Sequence, residues 1–273
     1  GVVVRDERKV TGSGFDITAG VIVRPVAESP FRIGAYVKSP TWYDLTTSNA
    51  SDLVYAQGTT NKKSYSSNSY DFKMWTPWKF GFSLGHTVGN YLALGATYEY
   101  ENFSNINSRV NDGGYYNYYG EYYESSTADK NMNAHTKEVL KGVSTLKLGV
   151  EYKPVSNVAL RMGYNYVGAM YASDRQKDPG LASLGTAYSS TTDYTNWGEI
   201  NRFTLGVGYQ VKKFNIDLAY QYSAQKGSFA PFSNVKDVTY TSGTTKITES
   251  NIASNTDVKN NRSQLLLTLG YRF

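Results

Sequence analysis

Apolar and polar positions alternate along much of this chain, most clearly at its C-terminal end. Leu265, Leu267, Leu269, Tyr271 and Phe273 share one side of an extended segment, and Gln264, Thr268, Gly270 and Arg272 share the other. That period of two predicts a strand with one side for an apolar medium and one for water. The pattern returns at Phe214, Ile216, Leu218, Tyr220 and Tyr222 against Asn215, Asp217, Ala219 and Gln221. It precedes that segment at Phe203, Leu205, Val207, Tyr209 and Val211, with a tight turn near Lys213 between the two. Leu146, Leu148, Val150 and Tyr152 pair in the same way with Val158, Leu160, Met162, Tyr164 and Tyr166 across a turn at 154–157. Trp78, Phe80, Phe82 and Leu84 are followed by Leu92, Leu94, Ala96, Tyr98 and Tyr100, joined at 88–90. Ile17, Ala19, Val21 and Val23 come first, then Phe31, Ile33, Ala35 and Val37, with 25–30 between them.

A water-soluble sandwich also alternates. Three features point instead to an all-β, antiparallel transmembrane β-barrel of the bacterial outer membrane. Each clear segment is about 10 residues, the length that crosses a bilayer at a tilt. Aromatic residues gather at the ends of the apolar sides, as at Tyr98 and Tyr100, Tyr164 and Tyr166, Tyr220 and Tyr222, and Tyr271 and Phe273, where interfacial girdles lie. Short turns alternate with long polar stretches at 46–69, 104–142, 172–199 and 227–260, the asymmetry between periplasmic turns and extracellular loops. The expectation is a C-terminus in the periplasm and long loops outside the cell.

Composition fits this picture. The 25 Tyr, 11 Phe, 4 Trp and 25 Gly of the 273 residues suit pleated sheets better than helices. The mean hydropathy of −0.47 reflects alternation, and no apolar run is long enough for a membrane-spanning helix. The absence of cysteine excludes a disulfide framework, a thiolate metal site and a cysteine nucleophile. A net charge of +5 without a basic stripe gives no footprint for nucleic acid.

Counting back from the C-terminus gives nine crossings, with 70–87 read as one strand bent near Pro77. Single-chain bacterial barrels have even strand numbers, and 2–10 makes a poor lipid-facing tenth strand because of Arg5, Asp6, Glu7, Arg8 and Lys9. The expectation is that 1–273 is a single barrel domain lacking an N-terminal portion.

With the strands placed, five stretches carry a family resemblance: GFDITAGVIVRPVAESPFRIGAYVKSPTWYDL, TPWKFGFSLGHTVGNYLALGATYEY, STLKLGVEYKPVSNVALRMGYNYV, NRFTLGVGYQVKKFNIDLAYQYS and LLLTLGYRF. Together they resemble the C-terminal part of the long-chain fatty acid transporter family (the FadL type) and its toluene-transporting relatives, especially the Bacteroidetes versions. The resemblance implies a 14-stranded barrel whose lumen is plugged by an N-terminal hatch, and which carries hydrophobic small molecules and releases them sideways through its wall. The hatch and early strands are not found in this sequence, so no family binding residue transfers. The partners implied are membrane lipid, lipopolysaccharide, a hydrophobic small molecule and, during biogenesis, the barrel assembly machinery. A scaffold barrel anchoring a larger surface complex through protein partners, and a general diffusion porin, are the alternatives.

Several residues are candidates for particular roles. The alternation turns Arg32, Lys79, Glu99, Lys147, Glu151, Arg161 and Asp217 toward the lumen, where they either contact ligand or brace the wall through ion pairs, bracing being the commoner case. Tyr115, Tyr116, Tyr118 and Tyr119, with Tyr122 and Tyr123, lie in a long loop. They either capture an apolar or sugar ligand or pack against other loops. Gly20, Gly34, Gly81, Gly95, Gly149, Gly163, Gly206 and Gly270 fall on the inward side, leaving room for a plug or letting strands curve. Phe273 reads as a barrel-assembly signal, or as an ordinary interfacial aromatic. His86 and His135 are the only histidines and give an enzyme few candidate bases. No enzyme activity, cofactor, metal or nucleic acid is expected.

Overall fold

The computed structural model describes residues 2–57, 60–172, 181–183 and 193–272. Antiparallel strands dominate, and the fold is all-β. In chain order the strands are β1 (Val2–Phe15), β2 (Thr18–Val23), β3 (Arg32–Lys38), β4 (Trp42–Gln57), β5 (Thr60–Trp75), β6 (Lys79–Val88), β7 (Leu92–Asn102), β8 (Asn107–Tyr116) and β9 (Tyr122–Ala128). A helix, α1 (Lys130–Val139), follows. Next come β10 (Gly142–Val155), β11 (Val158–Val167), β12 (Tyr194–Val211), β13 (Phe214–Ala230), β14 (Val235–Ser242), β15 (Thr245–Asn251) and β16 (Thr256–Tyr271).

Nine of these strands form one sheet in the order β16-β13-β12-β11-β10-β7-β6-β3-β2, and they are the nine alternating segments. The nine strands keep their chain order across the sheet, and short connections, such as Lys212–Lys213 between β12 and β13, alternate with longer ones that carry most of the remaining strands. Pro154, which has no N–H to donate, falls within the register shift between Tyr152 and Val155 at the end of β10. Among the described residues the sheet is open, with β2 and β16 at its edges. As the first and last of nine strands in strict antiparallel sequence, these two run in the same direction.

Four passes of chain continue beyond this sheet into a second, five-stranded one, ordered β1-β4-β5-β8-β9. Pro40 and Pro77 lie at the joint, where their missing donors interrupt the ladders. Side chains and local backbone bonds bridge the break. Ile17 N–H donates to Ser39 Oγ (2.9 Å), Thr41 N–H to Thr76 Oγ1 (2.8 Å), and Thr41 Oγ1 to the Asp16 carboxylate (2.8 Å). The Arg109 guanidinium lies 4.6 Å above the Trp75 ring.

Much of what the alternation left as loop is therefore strand. Within 46–69, residues 46–57 lie in β4 and residues 60–69 in β5, paired antiparallel strands of 16 residues each. The span 104–142 contains β8, β9 and α1, and 227–260 contains the β14–β15 hairpin. The charged segment 2–10, a poor lipid-facing strand, lies in β1 and pairs with β4 in the second sheet. The expected bent strand 70–87 is divided at residues 76–78 between the two sheets.

Candidate functional site

The nine-stranded sheet has two unlike sides. One side carries Phe80, Phe82, Leu84, Leu94, Leu148, Leu160, Met162, Phe203, Leu205, Val207, Ile216, Leu218, Leu265, Leu267 and Leu269, all exposed. Tyr98, Tyr100 and Tyr220 bound this band at one end, and Tyr91, Tyr152, Tyr209, Phe214 and Tyr271 bound it at the turn end. Conversely, Val143, Ala159 and Ala230 are the only buried apolar residues among those described, and no large side chain is fully buried. A water-soluble domain of this size hides its large apolar residues. Here they are displayed.

The other side carries the predicted lumen charges, and register joins most of them. Lys147 Nζ meets Glu99 Oε1 at 2.5 Å, and Lys79 meets its cross-strand partner Glu101 at 3.2 Å. Arg161 lies between two carboxylates, with Nε to Glu151 at 2.7 Å and Nη1 to Asp217 at 2.5 Å. The second of these bridges crosses the whole of β12. It passes over Gly208, where a Cβ would come within 2.5 Å of the Asp217 carboxylate and 2.9 Å of Arg161 Nη1. Lys153 adds a contact to Glu151 at 3.1 Å, and Asn215 donates to Asp217 at 3.2 Å. Tyr36 lies across Gly81, where a Cβ would fall 1.9 Å from its ring, and its hydroxyl donates to Glu99. Arg32 is exposed on the same side, opposite Gly85. Sequence reasoning missed Tyr36, Glu101, Lys153 and Asn215. Lys79 and Glu101 are far apart in sequence, and strand register makes them opposite.

Register also aligns glycines. Gly85, Gly95, Gly149 and Gly163 occupy directly opposed positions on β6, β7, β10 and β11, and Thr204 continues the row on β12. On the apolar side this row forms the floor of a groove of about 650 Å³, walled by Leu84, Leu94, Leu148, Met162, Phe203 and Leu205. On the polar side Lys147, Asn165, Arg202, Gln221, Arg262 and Gln264 line a second groove of about 630 Å³. Leu148, Gly163, Tyr164 and Thr204 border both, so the two grooves are separated there by the thickness of the sheet. Either volume lies within the usual range for a small-molecule site.

The loop tyrosines occupy the tip of the β8–β9 hairpin. They pack on one another: Tyr115 stacks on Tyr123 at 5.6 Å, Tyr116 meets Tyr122 at 5.2 Å, and Tyr118 and Tyr119 meet edge to face. Below the tip, Lys73 joins Glu124 at 2.9 Å and Asp44 at 3.8 Å, tying β5 to β4 beside it and to β9 beyond β8. The Glu124 carboxylate, and then Asp44, hold the Lys73 ammonium above its ordinary range. Hydrogen bonds from Ser125 and Thr127 hold the Asp112 carboxyl below the usual carboxylate range.

The remaining candidates are dispersed. His86 is on β6 beside Phe31, and His135 is on α1, whose first turn is capped by Asp129 accepting from Met132 N–H at 3.0 Å. Among the described residues, no group of three His, Cys, Asp or Glu is placed to hold a metal ion. Phe273 lies outside the described residues.

No family model matches this chain, and no curated protein matches it.

Proposed function

We propose that the nine-stranded sheet is part of the wall of an outer-membrane β-barrel that passes hydrophobic small molecules of the fatty acid type. The observation that carries this reading is the inverted distribution of side chains, with large apolar residues exposed between aromatic borders and ion pairs on the opposite side. Lipid is the medium in which such an exterior is stable, and a water-containing lumen suits the charges. The apolar groove and the polar groove share Gly163 and Thr204 as borders, so apolar surface of a size to hold a small molecule lies directly behind the polar side there. Because β2 and β16 run in the same direction, an antiparallel ring requires an odd number of further strands between them.

The scaffold alternative draws on the five-stranded extension, which projects strand edges and a tyrosine tip beyond the apolar band. A porin draws on the charged side of the sheet.

Uptake into liposomes separates these readings. The expected result is that a fluorescent long-chain fatty acid reaches a trapped binding protein faster than in empty liposomes, while a trapped sugar is retained. Ala96→Trp, which narrows the apolar groove, is expected to slow the uptake. Equal leakage of sugar and fatty acid would favour the porin, and no uptake of either would favour the scaffold.

A further inference from the structure

The β8–β9 hairpin tip lies apart from the residues that line the apolar groove. Residues 113–124 read GGYYNYYGEYYE, with six tyrosines, two glutamates and no lysine or arginine. Tyr118 is 96% exposed and Tyr119 84%. Large aromatic rings that display this much surface need either a medium or a partner.

The turn that carries the rings is held in place. Asn117 Oδ1 accepts from both Tyr119 N–H and Glu121 N–H at 2.9 Å, and its Nδ2 donates to the Glu121 carboxylate at 2.8 Å. Tyr123 hydroxyl donates to the same carboxylate at 3.1 Å. Gly120 takes a positive φ of 79°, a conformation that closes the turn at no side-chain cost. The two cross-strand ring pairs lie on opposite sides of the hairpin, and Tyr122 covers the bare Cα of Gly114. Part of the ordering cost of binding is therefore already met.

We propose that this tip binds neutral carbohydrate chains. Each tyrosine offers a flat apolar surface for the C–H side of a sugar ring and a hydroxyl for its polar rim. Glu121 supplies an acceptor for sugar hydroxyls beside Tyr123. Lys73 neutralises Glu124 at the base of the tip, and the carboxylate of Glu121, in a segment with no lysine or arginine, disfavours phosphate, nucleic acid and acidic polysaccharide. A stable protein partner requires roughly 800 Å² on each side, whereas a two-stranded tip is narrow and presents rings on both sides. Such a shape lets a flexible polymer engage several rings together. The proposal does not rest on the transport reading.

The test uses the full chain purified in detergent. Neutral oligosaccharides from cellulose, amylose, laminarin and mannan are titrated by calorimetry, with heparin as the charged comparison. The expected result is saturable binding of at least one neutral glycan and none of heparin. Tyr118→Ala with Tyr119→Ala should weaken it about tenfold or more, a loss of about 1.4 kcal/mol. Tyr118→Phe with Tyr119→Phe, which keeps the rings, should retain most of the affinity. An unchanged strand signal in circular dichroism shows that both double variants remain folded. No binding of any neutral glycan, equal binding of heparin, or binding indifferent to the alanine pair would each overturn the proposal, as would capture of a protein by these rings in place of glycan.

Discussion

Four passes of chain run through both the nine-stranded and the five-stranded sheet, yet the sides of the two sheets differ in character. In the first, large apolar side chains alternate with polar residues or glycine, as along Phe203 to Val211. In the second, the paired positions Ser48 and Ser69, Asn49 and Asn68, Ala50 and Ser67, and Ser51 and Ser66 place small or polar groups on both sides. Both regions are paired antiparallel from strand to strand, with only local register shifts. Main-chain pairing thus carries a strand past the apolar band, and side-chain character sets the medium each part can tolerate.

The comparison breaks most sharply at the apolar side. Leu205→Arg places a charge in the exposed apolar band and should cost about 2–4 kcal/mol in denaturant unfolding from lipid. Ser67→Arg on the exposed face of β5 should change stability by less than about 0.5 kcal/mol. Equal effects would remove the distinction between the two sheets.

Gly81→Val comes next. Its Cβ would occupy the space of the Tyr36 ring, and the resulting displacement should cost about 1–3 kcal/mol. Tyr36→Ala in the same background should recover part of that loss, and the unfolding midpoint of the pair checks this.

Smaller again is Arg161→Ala, which leaves Glu151 and Asp217 without the guanidinium between them. The side chains remain partly solvated, so the expected loss is about 1 kcal/mol. Lys73→Ala in the five-stranded sheet should give a similar value and the same reduction in high salt.

The subtlest effect is on pH dependence. The folded-state pKa of Asp112 is depressed by Ser125 and Thr127. Its contribution is therefore present above the unfolded carboxylate pKa of about 3.9 and fades as pH falls through the lower folded value. Hydrogen exchange of the β8–β9 amides should accelerate in that acid range, and Asp112→Asn should remove the change.

The nine-stranded sheet was legible in the sequence because large apolar residues alternate with polar or small ones along each strand at period two. The five-stranded extension was not, since Ser, Asn and Thr on both sides leave no hydrophobic rhythm, and 46–69 therefore looked like loop. Helix α1 had a local signal in Asp129 just before its first turn and Lys137 in its last, hidden within a polar stretch. Of the lumen charges, alternation gave the side but not the partner. Arg161 reaching Asp217 across a strand depends on Gly206 and Gly208 lying between them, a consequence of register. The glycines were visible individually, whereas their alignment into one row across β6, β7, β10 and β11 emerged only from the pairing.

The most direct test of the central claim, that the apolar side of the nine-stranded sheet faces lipid, exploits the absence of native cysteine. Single cysteines at 203–211 on β12 and at 44–51 on β4 are spin-labelled in liposomes, and collision with oxygen is compared with collision with a water-soluble relaxation agent. The account predicts a period of two along β12, with oxygen favoured at 203, 205, 207, 209 and 211 and the aqueous agent at the positions between. At the exposed positions 44 and 48 of β4 the aqueous agent should dominate. Equal aqueous access at both sets of β12 positions would contradict it.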